Sequence, residues 1–265
     1  AKVSILARSL PKLEAARDEI RLATGVEAAI YSVDVRDEQG VKKAVEAAGA
    51  IDVLVCNQGV FLPRELAVQD MEEVRCTMDI NVMGTFNLIR YALPAMKQGG
   101  GRSGPRSIAF VSSQAGQVGI YGYTSYCASK FALRGLAEAL QQEVITDNIH
   151  VSIIFPPDTE TPGYFEELKR KPELTAILSA TSPKMDLDVL IRRALNGIKS
   201  GTFLVTCNLE GIILSLSTSG AAPTRSFVTA FFEVAFAGFM RFVALGILHG
   251  WYTTIEKWHA KQKRN

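Results

Sequence analysis

A tyrosine and a lysine four residues apart, Tyr126 and Lys130 in "SYCASKFALRG", open an amphipathic helical pattern. Positions i and i+4 lie above one another on a helix, so the phenol and the ammonium converge on one point beside it. A phenol titrates near pH ~10 and exchanges a proton at neutral pH only when a neighbour favours the phenolate. Lys130 is placed to lower the phenol through its charge, and its ammonium can also hold sugar hydroxyls. Two serines precede the pair: Ser112 and Ser113 in "FVSSQAG" close an apolar run, Ser113 lying thirteen residues before Tyr126. Asn81, in "DINVMGTF", falls inside a helical pattern, where asparagine has poor propensity and needs a local reason to stand.

The elements that must position these groups follow from the apolar pattern. Continuous apolar runs at 3–7, 28–33, 51–56, 107–111, 151–155 and 203–206 alternate with helical stretches. Runs without polar alternation fit strands buried on both faces of a parallel sheet, so the expected fold is a doubly wound α/β sheet. Helix starts are marked by Ser9 before Pro11, by Asp70 with Glu73 as a capping box, and by Thr124 or Ser125. In such a fold Ser112 and Ser113 sit at the carboxyl edge of the sheet, where ligands bind. The Gly-rich stretch "QGGGRSGPRS" reads as a surface loop without chemistry, and no repeat recurs at a fixed period.

Composition narrows the function classes. A chain of 265 residues, 48% hydrophobic, can bury one sizeable core. A net charge of +2 gives no footprint for nucleic acid. The cysteines at 56, 76, 127 and 207 lack metal-ligand spacing and suit a reducing compartment, and "AKVSILAR" carries no secretory leader pattern.

Beyond residue 206 the character changes, dividing the chain into an α/β domain over 1–206 and a hydrophobic segment with a basic tail over 207–265. Residues 227–250 would span roughly 36 Å as one helix, enough for a bilayer core. Glu233 and Arg241 lie inside it, and each charge at mid-bilayer costs ~2.5–3.5 kcal/mol on insertion scales, which disfavours a simple span. On a helical wheel Phe227, Phe231, Phe232, Phe236, Phe239 and Phe242 share one half, facing lipid, while Ala230, Glu233, Ala237, Arg241 and Ala244 share the other, facing protein or headgroups. A helix buried in a homo-oligomer interface is the alternative. Trp251, Tyr252 and Trp258 suit a membrane boundary, and Lys261 and Lys263 resemble a retrieval signal of endoplasmic-reticulum membrane proteins.

Tyr126-x-x-x-Lys130, Ser113 thirteen residues upstream and helix-interior Asn81 together resemble the catalytic set of the short-chain dehydrogenase/reductase superfamily. The resemblance implies hydride transfer between a nicotinamide and a carbonyl carbon. Tyr126 would then donate the proton, Ser113 bind the same oxygen, Lys130 hold the ribose, and Asn81 hold a water that resupplies protons; Ser112 stays open as the alternative to Ser113. Arg8, at the end of the first apolar run, and Lys12 a turn later favour a 2′-phosphate, hence NADPH. Asp34 and Val35 in "SVDV" resemble the adenine-contacting position, and Asn57 and Gly59 in "CNQG" stand where the family has Asn-Asn-Ala-Gly. "FPPDTETPG" replaces Pro-Gly-x-x-x-Thr, keeping Pro156 and the Thr161 hydroxyl that would anchor the carboxamide.

The segment from Val111 to Val144, with the hydrophobic tail, is similar to the 3-ketodihydrosphingosine (3-dehydrosphinganine) reductases. That resemblance implies NADPH, a long-chain ketosphingoid substrate, an endoplasmic-reticulum membrane and an active site facing the cytosol. A non-catalytic scaffold, or a reductase of a steroid, retinoid or 3-ketoacyl group, are the alternatives. The family's Thr-Gly-x-x-x-Gly-x-Gly turn is not found in the 265 residues, and Ala1 aligns with the start of the family's second strand. The expectation is therefore a complete form with further residues upstream, and no NADPH turnover by the chain as written.

Overall fold

The computed structural model describes residues 1–98, 104–180, 182, 184–224 and 226–263. Half of the Gly-rich stretch, residues 99–103, and the last two residues of the basic tail lie outside them. Each apolar run forms a strand: β1 Ser4–Ala7, β2 Ala29–Ser32, β3 Val53–Cys56, β4 Arg106–Val111, β5 Ile149–Phe155 and β6 Leu204–Thr206. Between and after them come α1 Leu10–Thr24, α2 Glu38–Ala48, α3 Met71–Met78, α4 Gly84–Lys97, α5 Thr124–Glu143, α6 Pro162–Leu168, α7 Glu173–Ser179, α8 Leu187–Ser200, α9 Leu209–Ser217 and α10 Phe227–Gln262.

All strand pairs are parallel, and the central strands show why their sequences do not alternate. Ile108, Phe110, Ile153 and Phe155 pack into the core formed with α2, α4 and α5. Ala109 and Ile154, the intervening residues, point the other way and pack with Ile198 of α8. Both faces are covered, the doubly wound arrangement read from the sequence.

The sheet is in two pieces, β1–β2 and β3–β4–β5–β6. β1 and β3 do not pair; both border a cleft of about 810 Å³ whose walls include Ile5, Leu6, Val53 and Val55. Val53 and Val55 are exposed there, unlike the buried residues of β4 and β5. The cleft lies where the family resemblance implies a central strand.

Local signals were kept in part. Asp70 caps α3 by accepting from the Glu72 N–H at 2.9 Å, but Glu73 does not close a capping box and instead pairs with Arg170 at 3.0 Å. Asn81 lies not in a regular helix but in a π-helical turn, Asp79–Met83, between α3 and α4. Such turns insert one extra residue and re-aim side chains.

The C-terminal elements are tied to the body. Gln114 Nε2 donates to Asn208 Oδ1 at 2.8 Å, Gln117 Nε2 to Ser215 Oγ at 2.6 Å, and Arg134 Nη2 to the Ser219 carbonyl at 2.7 Å. The 36-residue α10 packs along α9 and touches α7. Its partly buried positions include Ala230, Glu233, Ala237, Met240 and Ala244, while Phe227, Phe231, Phe239 and Phe242 are exposed. This is the division expected from the wheel, except that Arg241 is exposed. Among the described residues α10 is the one helix long and apolar enough to cross a membrane, judged by length and composition.

Candidate active site

The site forms where the carboxyl end of β4 meets the first turns of α5. Consecutive residues of extended chain point to opposite sides, which separates the two serines. Ser112 is buried and donates to the Lys130 carbonyl at 3.1 Å, so its hydroxyl serves α5. The Ser113 hydroxyl accepts from the Ala115 N–H at 3.2 Å and stands in the wall of the same cavity as the Tyr126 phenol. Gly116 permits this close approach: a Cβ there would stand 2.4 Å from Ser112 Oγ and 2.9 Å from the Lys130 carbonyl oxygen.

Lys130 is 4% exposed; its Nζ donates to the Val111 carbonyl at 2.9 Å and lies 5.6 Å from the centre of the Tyr126 ring. Burial lowers its pKa to about 8. The expected lowering of the Tyr126 phenol does not occur. Burial pushes it well above its usual value, the nearby Ser113 hydroxyl pulls it down, and the charges of Glu167 and Asp158 push it up again. Desolvation therefore outweighs what charge alone suggested.

Asn81 is fully buried and acts as a clamp. Its Oδ1 accepts from the Val60 N–H at 2.8 Å, while Nδ2 donates to the Val60 carbonyl at 3.0 Å and to Ser129 Oγ at 2.9 Å. Both amide hydrogens are committed to protein, fixing the loop after β3 to α5. Gly59 in that loop is the closest point: a Cβ would come within 3.6 Å of Lys130 Nζ.

A second cavity, of about 490 Å³, has Ser113, Tyr126, Lys130, Pro156 and Thr161 in its wall. Val55, Asn57 and Gly59 border both this cavity and the cleft, which holds Arg8, Asp34 and Val35 farther along. The residues expected to meet a dinucleotide thus line two cavities that share part of a wall. The exception is Lys12, which is exposed on α1 and is not part of this lining. The Thr161 hydroxyl caps α6, accepting from the Tyr164 N–H at 3.2 Å.

Sequence reasoning missed two groups. Arg36 donates to Asp34 at 2.7 and 3.1 Å, and these bonds, more than the weaker approach of Arg8 at 4.0 Å, hold the Asp34 carboxyl below its usual pKa. The Asp-x-Arg spacing was the available signal. In the other group, on the cavity wall, the Tyr123 hydroxyl donates to Glu167, and Lys171 Nζ lies 3.5 Å from Asp158 and 3.9 Å from Glu167. Nothing in the spacing of these residues foretold their meeting.

A parallel α/β sheet carrying a serine, a tyrosine and a buried lysine at its carboxyl edge agrees with the family match: residues 1–171 fit the short chain dehydrogenase model. The chain belongs to the short-chain dehydrogenase family. It is 54% identical over 264 residues to the 3-dehydrosphinganine reductase TSC10B of Arabidopsis thaliana, covering 100% of this chain and 80% of that protein. With TSC10A of the same plant, also a 3-dehydrosphinganine reductase, it shares 57% over 258 residues, covering 97% and 79%. Among solved structures, a gluconate 5-dehydrogenase from Burkholderia cenocepacia, in complex with NADP and tartrate, superposes with a TM-score of 0.67 at 20% identity, covering 78% of this chain and 82% of the other.

The site suits a nicotinamide dinucleotide on two grounds. A Cβ at residue 59 would stand 3.6 Å from the Lys130 ammonium, space that glycine leaves open, and among the described residues the ammonium's hydrogen-bond acceptor is the Val111 carbonyl.

Proposed function

We propose that the protein reduces the keto group of 3-dehydrosphinganine to an alcohol, using NADPH, at the cytosolic face of the endoplasmic-reticulum membrane. The observation that carries this is two hydroxyls, of Tyr126 and Ser113, in the wall of a cavity that Ile120, Ile154, Leu190, Ile191 and Leu195 also line. An apolar wall favours a long-chain ketone over a polar one, at about 25 cal/mol per Å² of apolar surface buried. The names of the relatives identify such a ketone, and exposed Phe231 and Phe239 on α10 suit a protein that meets its substrate at a lipid surface.

NADPH, when bound, supplies the hydride. Toward it, Arg8 would meet the 2′-phosphate, Asp34 and Val35 the adenine, Asn57 and Gly59 the close backbone approach, Lys130 the ribose hydroxyls, and Pro156 and Thr161 the carboxamide end. Ser113 and Tyr126 hold the carbonyl oxygen by two hydrogen bonds, and Tyr126 gives it a proton as negative charge develops. A phenol raised by burial keeps that proton until the developing alkoxide demands it. Lys130, buried beside the ring, stabilises the phenolate left behind, and Asn81 holds the Asn57–Gly59 loop against α5.

The test is NADPH oxidation by the full-length protein with 3-dehydrosphinganine, a steroid ketone, a retinoid aldehyde and a 3-ketoacyl thioester. The proposal expects 3-dehydrosphinganine to be preferred; reduction of another of these with none of 3-dehydrosphinganine overturns it. Arg8→Asp is expected to lower the preference for NADPH over NADH about tenfold or more, because it replaces the phosphate's cationic partner by a like charge.

A further inference from the structure

The cavity beside Tyr126 is mainly apolar, yet two carboxylates stand in its wall. They are Asp158, in the loop after β5, and Glu167, on α6. Glu167 is 9% exposed, and a carboxylate buried at an apolar surface is costly unless a cation compensates it. Lys171 is the cation at hand, closer to Asp158 than to Glu167, at 3.5 against 3.9 Å. Two carboxylates against one ammonium leave one negative charge over in this group. Burial raises the Glu167 carboxyl and the Asp158 charge adds to that, while the Tyr123 hydrogen bond and the Lys171 charge favour its anion.

The location matters as much as the charge. The Tyr123 ring lies 6.0 Å from that of Tyr126, and its hydroxyl donates to Glu167. Glu167 is therefore one hydrogen bond beyond a ring in edge contact with the proton donor. 3-Dehydrosphinganine carries its amine on the carbon next to the keto group. Once the carbonyl oxygen is held by Tyr126 and Ser113, the nitrogen must lie against the wall close by. An α-amino group titrates near pH ~8 and is mostly cationic at neutral pH. Lys130, 5.6 Å from the centre of the Tyr126 ring, would repel it.

We propose that Glu167, supported by Asp158, receives the ammonium of the substrate and makes the site selective for 2-amino ketones over plain ketones. This rests on the reductase reading above. It fixes which way the ketone lies: amine and head toward α6, alkyl chain along the Leu190, Ile191 and Leu195 face of α8.

The test compares 3-dehydrosphinganine with its deamino analogue of equal chain length, using NADPH and the full-length protein. The unaltered protein is expected to favour the amino ketone by about 10-fold or more in kcat/KM, the size of a hydrogen bond to a charged group. Glu167→Gln, which keeps an acceptor for Tyr123, is expected to lower kcat/KM for the amino ketone by about 10- to 100-fold and to change the deamino ketone by less than about threefold. Equal efficiency toward both ketones in the unaltered protein overturns the inference, whatever the variant does. So does an equal loss on both ketones in Glu167→Gln, the result of a purely structural role. If the unaltered protein reduces neither ketone, it is the reductase reading that fails, and the receptor falls with it.

Discussion

Lys130 is an ammonium with 4% exposure, held by a hydrogen bond to the Val111 carbonyl, and its pKa stands at about 8 against an ordinary 10.5. A shift of that size means that the charged form costs the folded state about 3 kcal/mol at pH 7. Between the two pKa values the unfolded chain binds more protons than the folded one, so this group's contribution to stability rises as pH rises through 8 toward 10.5. Integrating from pH 7 to 9.5 recovers about 2 kcal/mol of the penalty. Lys130→Met removes the charge and keeps the bulk. At pH 7 the variant gains the 3 kcal/mol, less about 1–3 kcal/mol for leaving the Val111 carbonyl without its donor. Urea unfolding of both proteins at several pH values isolates the lysine, because other titrating groups cancel in the difference. The stability difference between Lys130→Met and the unaltered protein is expected to shift by about 2 kcal/mol toward the unaltered protein from pH 7 to 9.5. A difference that stays flat across that window refutes the reasoning.

Two further perturbations follow from the same geometry. Asn81→Ala strands the half-buried Val60 N–H and carbonyl together with buried Ser129, so a loss of about 2–4 kcal/mol in urea unfolding is expected; a loss under 1 kcal/mol would show the clamp to be incidental. Phe239→Asp, on the exposed sector of α10, is expected to weaken vesicle binding, since Asp disfavours an apolar membrane segment by ~2.5–3.5 kcal/mol at its centre. Unchanged flotation with vesicles would place that sector away from lipid.

The parts of the fold legible in the sequence were those set by local pattern. Six parallel strands wrote themselves as six apolar runs, and Tyr126 and Lys130 fell on one helix turn because the helical period requires it. That the Ser112 hydroxyl is committed to the Lys130 carbonyl and the Ser113 hydroxyl to the Ala115 N–H was not visible in the spacing, since both serines close the same apolar run. Asn81 stood out as a poor helix former, but the π-turn that accommodates it depends on the loop it clamps, a contact 21 residues away. The lowering of Tyr126 by Lys130 was misjudged because burial has no signature in spacing. Glu167, Tyr123 and Asp158 come from three separate elements that meet only in the folded chain, so no motif announced them. On α10 the wheel separated the exposed phenylalanines from the packed alanines, and only Arg241 departed, because a long side chain can leave a packed sector for water.

The central claim is that the Tyr126 phenol protonates the reduced carbonyl oxygen. It is tested most directly by Tyr126→Phe in the full-length protein, with kcat for 3-dehydrosphinganine and NADPH binding measured side by side. The account predicts a fall in kcat of about 10²- to 10⁴-fold with NADPH binding little changed. A kcat within a few-fold of the unaltered protein would contradict it.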